Sequence, residues 1–255
     1  MSETGQAPLT RYLGILEVVA GSHQSVGLSE VAALTGLPKP TVHRMIKTLV
    51  AAGALRSHGT QHQTYGLGPR LWRMLYLGLN PDTVANYAQN VCDEVSASLE
   101  ETSYVVRLGQ RYIRAIARSV PDQGHRLHVR PGAELPAHAA ASTKAVLAYQ
   151  EPDVRARYLP DPLPALTAHT TTDRDRLEAE LAGVAAQGYA VCDREIDEHV
   201  MAYACPVKLT GAGVVYAVGV TGPCGRMQNV PERRVVEVLR HGAERFASML
   251  QTVPV

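Results

Sequence analysis

The chain has 255 residues, 45% of them hydrophobic and 19% charged, with a net charge of +1. That length allows one large domain or two of ordinary size, and the composition excludes a disordered or fibrous protein. No apolar run is long enough to span a bilayer, and the N-terminus MSETGQAP lacks a basic and then apolar secretory pattern, so a cytoplasmic protein without a membrane partner is expected. The charge is unevenly spread. Through Asn80 there are seven Lys and Arg against three acids, leaving +4 there and −3 in the remainder. Only the N-terminal third is drawn to a polyanion. The four cysteines, Cys92, Cys192, Cys205 and Cys224, are far apart and form no C-x-x-C pair, which favours reduced thiols over zinc or redox motifs.

In chain order, Leu9, Tyr12, Leu13, Leu16, Val19 and Ala20 follow helical spacing up to Gly21. Ser29 reads as the N-cap of a short helix, Gly36 as a turn, and Pro40 as part of the first turn of the next helix. On that second helix Val42, Met45, Ile46, Leu49 and Val50 share one side. Arg44 and Lys47 point away from it, flanked by Thr41, His43 and Thr48. A core helix needs only the first set; a helix lying in the DNA major groove needs both. Residues 54–67 alternate loosely about a polar, Gly-containing turn and predict a β-hairpin. Three helices and a hairpin make a winged helix-turn-helix. His58 and His62, four apart, flank that turn and read as a polar wing tip.

Leu71, Met74, Leu75 and Gly78 extend a helical stripe to Asn80, which then caps a new helix with Pro81 at its first position. Val84, Ala88, Val91, Val95 and Leu99 form the next stripe. The expected division is 1–79 for a winged helix-turn-helix domain with its linker helix and 80–255 for a second domain. Beyond residue 103, strands are expected at 104–108, 112–117, 189–196, 201–207 and 214–221. A helix opened by Thr172 and Asp175 runs to Gly188, and Val235 to Leu250 mark a closing helix. The fold class is α+β, with a largely antiparallel sheet covered by helices.

Three blocks, in order along the chain, carry a family resemblance. They are LSEVAALTGLPKPTVHRMIKTL with YGLGPRL, RPGAELPAHAAASTKA at 130–145, and QGYAVCDRE followed by ACPV and VGVTGP within 187–223. Together they resemble the IclR family of bacterial transcriptional regulators over nearly the whole length. The resemblance implies an N-terminal winged helix-turn-helix and a GAF-like C-terminal effector domain. It further implies homodimers or homotetramers on double-stranded operator DNA, controlled by a small organic acid, with no cofactor.

For DNA, Arg44 suits a bidentate contact to guanine, and Thr41 or His43 a neighbouring base edge. Lys39, Lys47 and Arg56 suit phosphates, and Ser29 with its helix start offers a further phosphate site. For the effector, the resemblance implies Leu127, Leu135, Ala141, Ser142, Ala202, Gly219 and Thr221. Gly219 and Thr221 share one strand face, as such a site requires. The family commonly has cysteine at the Ala202 position and serine at the Gly219 position. Their loss implies a wider, more apolar cup and a bulkier acid such as a substituted benzoate. Tyr104, Arg107 and His125 are candidate polar partners or fold residues. No catalytic motif is present: there is no G-x-S-x-G, P-loop, H-E-x-x-H or dinucleotide fingerprint, and Asp193 with Glu195 reads as solvated charge on a strand edge. The chain is therefore read as a non-enzyme. The alternatives are a DNA-associated protein with no effector, or an enzyme using the GAF-like domain.

Overall fold

The computed structural model describes residues 7–22, 24–59, 63–121 and 131–252. The chain divides into two compact units, Met1–Gly78 with Thr210–Gly213, and Leu79–Leu209 with Val214–Val255.

In the first unit, helices α1 (Pro8–Ala20), α2 (Leu28–Thr35) and α3 (Lys39–Ala51) enclose a small core, followed by α4 (Pro69–Leu77). Ile15, Val19, Val31, Val42, Ile46 and Leu55 are buried together. Each such aliphatic side chain stabilises the fold by roughly 1.5–3 kcal/mol. Gly36 ends α2 at φ 68°, a left-handed turn that glycine adopts without steric cost. The wing is β2 (Leu55–His58) against β3 (Thr64–Leu67), and β3 also pairs with a two-residue strand, β1 (Val26–Gly27), giving the order β1-β3-β2.

Strand β1 overturns one expectation. It delivers Gly27, in extended conformation, to the N-cap of α2, so Ser29 lies inside the first turn and its side chain caps nothing. Ser29 is exposed there.

The second unit is a five-stranded sheet in the order β5-β4-β8-β7-β6. Its strands are β4 (Thr102–Leu108), β5 (Ile113–Ser119), β6 (Ala190–Asp193), β7 (Val200–Leu209) and β8 (Gly213–Pro223). The pairs β4–β5, β4–β8 and β6–β7 are antiparallel. Helices α5 (Pro81–Leu99) and α10 (Glu232–Gln251) pack together over one face. Helix α6 (Ala141–Leu147) covers the other, backed by α8 (Arg174–Gln187), with the single turns α7 (Pro152–Arg155) and α9 (Cys224–Met227) between elements.

Asn80 caps α5 through its side-chain oxygen, which accepts from the N–H groups of Asp82 and Thr83. Val84, Ala88, Val91, Val95 and Leu99 all bury their stripe against the sheet. Two boundaries differ from expectation. The cap of α8 is Asp173, whose carboxylate accepts from Arg176 N–H, rather than Thr172. The strand expected at 189–196 stops at Asp193, because Arg194 adopts φ 60° and turns the chain away from the sheet.

Candidate nucleic-acid interface and ligand site

Helix α3 has two unlike sides. Val42, Met45, Ile46 and Leu49 are buried in the core of the first unit, whereas Lys39, His43, Arg44 and Lys47 are exposed and Thr41 is half-buried. Pro40 lies within the first turn and adds no unsatisfied N–H there. Arg56 is exposed on β2. Among the described residues none of Lys39, Arg44, Lys47 and Arg56 forms an ion pair. Such a surface keeps its positive field available to an external polyanion. His58 is exposed on the same wing, and His62 lies outside the described residues.

In the second unit the side chains of the central strands sort cleanly by face. Ser103 donates to the Cys92 carbonyl of α5 at 2.5 Å, so its neighbour Tyr104 turns the other way, towards α6. Val218 reaches Gly242 of α10, which puts Gly219 and Thr221 on the α6 side. Cys205 faces the Val236 carbonyl of α10, so Ala202 is on the α6 side as well. Tyr104, Ser142, Ala202, Gly219 and Thr221 thus gather, all buried, between the sheet and α6. Tyr104 lies directly opposite Gly219, and Ser142 is the polar side chain beside the Tyr104 hydroxyl. Ser142 Oγ is fully buried and meets no partner with hydrogen-bond geometry among the described residues. Thr221 donates to the Met201 carbonyl at 3.3 Å.

Ala141 is buried in the first turn of α6, while Leu135 is half-buried and tied to the β5 edge through its N–H to Ile113. Leu127 and His125 lie outside the described residues. The widening expected from Ala202 and Gly219 is not what the packing gives. The Tyr104 ring stands in the space over Gly219, and Cys192 is the direct cross-strand partner of Ala202. A neighbouring strand supplies the bulk and the thiol that these two positions lack.

Two charged residues behave unlike their sequence reading. Lys144 of α6 is fully buried, with Nζ donating to Glu195 Oε1 at 2.6 Å and Glu180 Oε1 at 2.5 Å. Glu195 is therefore a buried partner, not a solvated edge charge; the turn at Arg194 breaks the strand alternation and swings it inward.

Residues 8–59 match the model for the "IclR helix-turn-helix domain", and residues 79–247 the model for "Bacterial transcriptional regulator IclR C-terminal". The chain belongs to the IclR family. Its similarity to curated transcriptional regulators extends over about nine-tenths of the length. The probable transcriptional regulator SauR of Cupriavidus necator is 28% identical, covering 89% of this chain and 90% of that one. The p-hydroxybenzoate hydroxylase transcriptional activator of Acinetobacter baylyi is 26% identical, covering 91% and 86%. Among solved structures, an IclR homologue from Microbacterium hydrocarbonoxydans complexed with 4-hydroxybenzoate superposes with a TM-score of 0.62 at 26% identity, covering 97% of this chain and all of that one.

For an IclR-type regulator the remaining chemistry is quiet. Among the described residues no group of three or more His, Cys, Asp or Glu is placed to hold a metal. Burial pushes the thiols of Cys92 and Cys205 up to about 12 and that of Cys192 up to about 11, so none is a thiolate at neutral pH. No helix among the described residues is long and apolar enough to cross a membrane. The sequence reading missed Lys144 and Cys192. The only signal for either was a lysine at the third position after a run of alanines, which reads equally well as a surface residue.

Proposed function

We propose that this IclR-type regulator reads operator DNA with α3 and the wing, and adjusts that binding when a small organic acid enters the cup beneath α6. In this reading Arg44 contacts guanine, and Thr41 or His43 a neighbouring base edge. Lys39, Lys47 and Arg56 contact phosphates, as does exposed Ser29 at the start of α2. Leu127, Leu135, Ala141, Ser142, Ala202, Gly219 and Thr221 bind the acid. The observation that carries the DNA half is the set of exposed cations, in no ion pair among the described residues, on a helix whose underside is anchored in the core. The ligand half rests on Ser142, a fully buried hydroxyl whose polar neighbour is the Tyr104 hydroxyl and which has no partner in good hydrogen-bond geometry among the described residues.

The favoured effector class is an aromatic monocarboxylate. Two relatives support it: one complexed with 4-hydroxybenzoate and one named for control of p-hydroxybenzoate hydroxylase. A homodimer or homotetramer places one α3 in each half of a two-fold operator. Helix α4 supports assembly, for it buries no residue of its own although Met74 is 62% and Leu75 38% exposed. The chain acts in the cytoplasm and by binding, not by turnover.

The test combines thermal shift with anisotropy on DNA from the promoter adjoining its own gene. A ligand at 100 times its Kd adds about 2.7 kcal/mol of stability. Benzoate and 4-hydroxybenzoate are expected to raise the melting temperature and to change DNA affinity. Binding of glyoxylate or pyruvate alone overturns the aromatic class. No response to any acid leaves a DNA-associated protein without an effector, and consumption of an acid makes it an enzyme.

A further inference from the structure

What fills the α6 side of the sheet is set by one cross-strand pair, Tyr104 and Gly219. A Cβ built on Gly219 would stand 2.8 Å from Tyr104 Cζ, 3.0 Å from its hydroxyl oxygen and 3.1 Å from Cε2. Those distances are too short for real atoms, so the phenol lies across the glycine and any larger residue there must displace it. The ring is 3% exposed, and its hydroxyl end is the polar end, beside Ser142 of α6 and within range of Cys192 of β6. Burial pushes the Tyr104 hydroxyl well above its ordinary range, so it stays protonated and able to donate at neutral pH. Ser142 is fully buried beside that hydroxyl, yet its own hydroxyl has no partner in good hydrogen-bond geometry among the described residues, an unfavourable state that a ligand oxygen would relieve. The nearby cation, Lys144, is committed to Glu195 and Glu180. The polar end of a ligand here meets neutral hydroxyl donors.

We propose that Tyr104 is the specificity-determining residue of the effector cup. Its ring takes the space over Gly219 and restricts the ligand to a single-ring acid, while the Tyr104 and Ser142 hydroxyls donate to the ligand carboxylate. This rests on the effector reading given above and adds the residue that sets size and orientation. Removing a side chain from an apolar pocket wall changes discrimination between ligands by roughly ten- to two-hundred-fold per methylene displaced, so exchanging a whole ring is readily measured.

The experiment is calorimetric titration of the full chain with benzoate, 4-hydroxybenzoate and 2-naphthoate. Wild type is expected to bind the single-ring acids and reject 2-naphthoate. Tyr104→Val is expected to admit 2-naphthoate. Tyr104→Phe keeps the size restriction and weakens benzoate about tenfold, the cost of one lost donor. Gly219→Ala drives the ring into the cup and weakens benzoate by more than about tenfold. Wild-type binding of 2-naphthoate as strong as that of benzoate overturns the proposal. So does a folded Tyr104→Val that binds benzoate and still rejects 2-naphthoate, or undiminished benzoate binding by both Tyr104→Phe and Gly219→Ala. If neither wild type nor any variant binds any acid, the effector reading itself has failed, which is a different result from losing Tyr104 as its selector.

Discussion

Lys144 and Glu195 form a buried ion pair, Nζ to Oε1 at 2.6 Å, with side chains 0% and 10% exposed. Burial disfavours the Lys144 charge, but the Glu195 and Glu180 carboxylates outweigh it and hold the ammonium above its ordinary range. For Glu195 burial is the larger influence and the lysine only partly offsets it, so its carboxyl is pushed up to about 6. The second Glu195 oxygen is buried with no partner among the described residues. The pair pins α6, the roof of the cup, to the turn after β6.

Removing the cation from this pair is expected to be costly. Lys144→Met leaves Glu195 buried and uncompensated, and should lower the unfolding free energy by about 3–5 kcal/mol. Adding Glu195→Gln to that variant should recover most of the loss, since Glu180 is 32% exposed and water can solvate it. Urea denaturation checks both. A Lys144→Met penalty below about 1 kcal/mol would show the pair to be unimportant for stability.

Glu195 also sets a pH dependence. Unfolded, it loses its proton near 4.5; folded, it keeps it to about 6. Between those values the folded state binds more protons, so stability falls as pH rises. The stabilisation is fully present below about 4.5 and gone above about 6, a change of roughly 2 kcal/mol. Glu195→Gln should flatten this segment of the stability curve, and an unchanged slope across the window would assign it to other groups.

How far the structure is readable from the sequence depends on how local the cause is. The α3 stripe and the Asn80 cap with Pro81 are periodic or adjacent signals, and both stand where their spacing put them. Ser29 and Thr172 failed because another residue, two positions earlier or one later, holds the cap. Gly27 is fixed by pairing of β1 with Thr64 and Tyr65, far along the chain, and Asp173 supplies a carboxylate one position later. Glu195 failed because alternation was carried past Arg194, whose positive φ reverses the side on which the next residue emerges. That Ser142, Ala202, Gly219 and Thr221 lie on the α6 side follows from alternation and helix position, but what packs between them does not. That Gly219 faces Tyr104 and Ala202 faces Cys192 depends on strand register, which no local pattern displays.

The Asn80 cap can be tested directly. Its side chain accepts from Asp82 N–H at 2.9 Å and Thr83 N–H at 3.2 Å. Asn80→Ala leaves both donors to water at the start of a 19-residue helix and should cost about 1 kcal/mol. Asn80→Asp should cost little, because a carboxylate accepts the same bonds and favours the positive end of the helix. Equal losses for both substitutions in urea denaturation would show that the cap is not what holds the end of α5.

Arg44 and Lys47 stand exposed on one helix, yet their expected roles on DNA differ because their chemistry does. A guanidinium presents a planar fork that matches guanine O6 and N7, so Arg44→Ala should cost about 1–3 kcal/mol on operator DNA and relax discrimination at one base pair. An ammonium is a compact point charge suited to a phosphate, so Lys47→Ala should weaken operator and random DNA alike. The salt dependence separates the two further. Losing one phosphate contact lowers the slope of log affinity against log salt by about one, since one fewer counterion is released. Anisotropy titrations at several salt concentrations, on operator and on scrambled DNA, read both effects in one experiment. Equal losses on the two DNAs for Arg44→Ala would move it from base reading to phosphate contact, and an unaltered slope for Lys47→Ala would remove it from the interface.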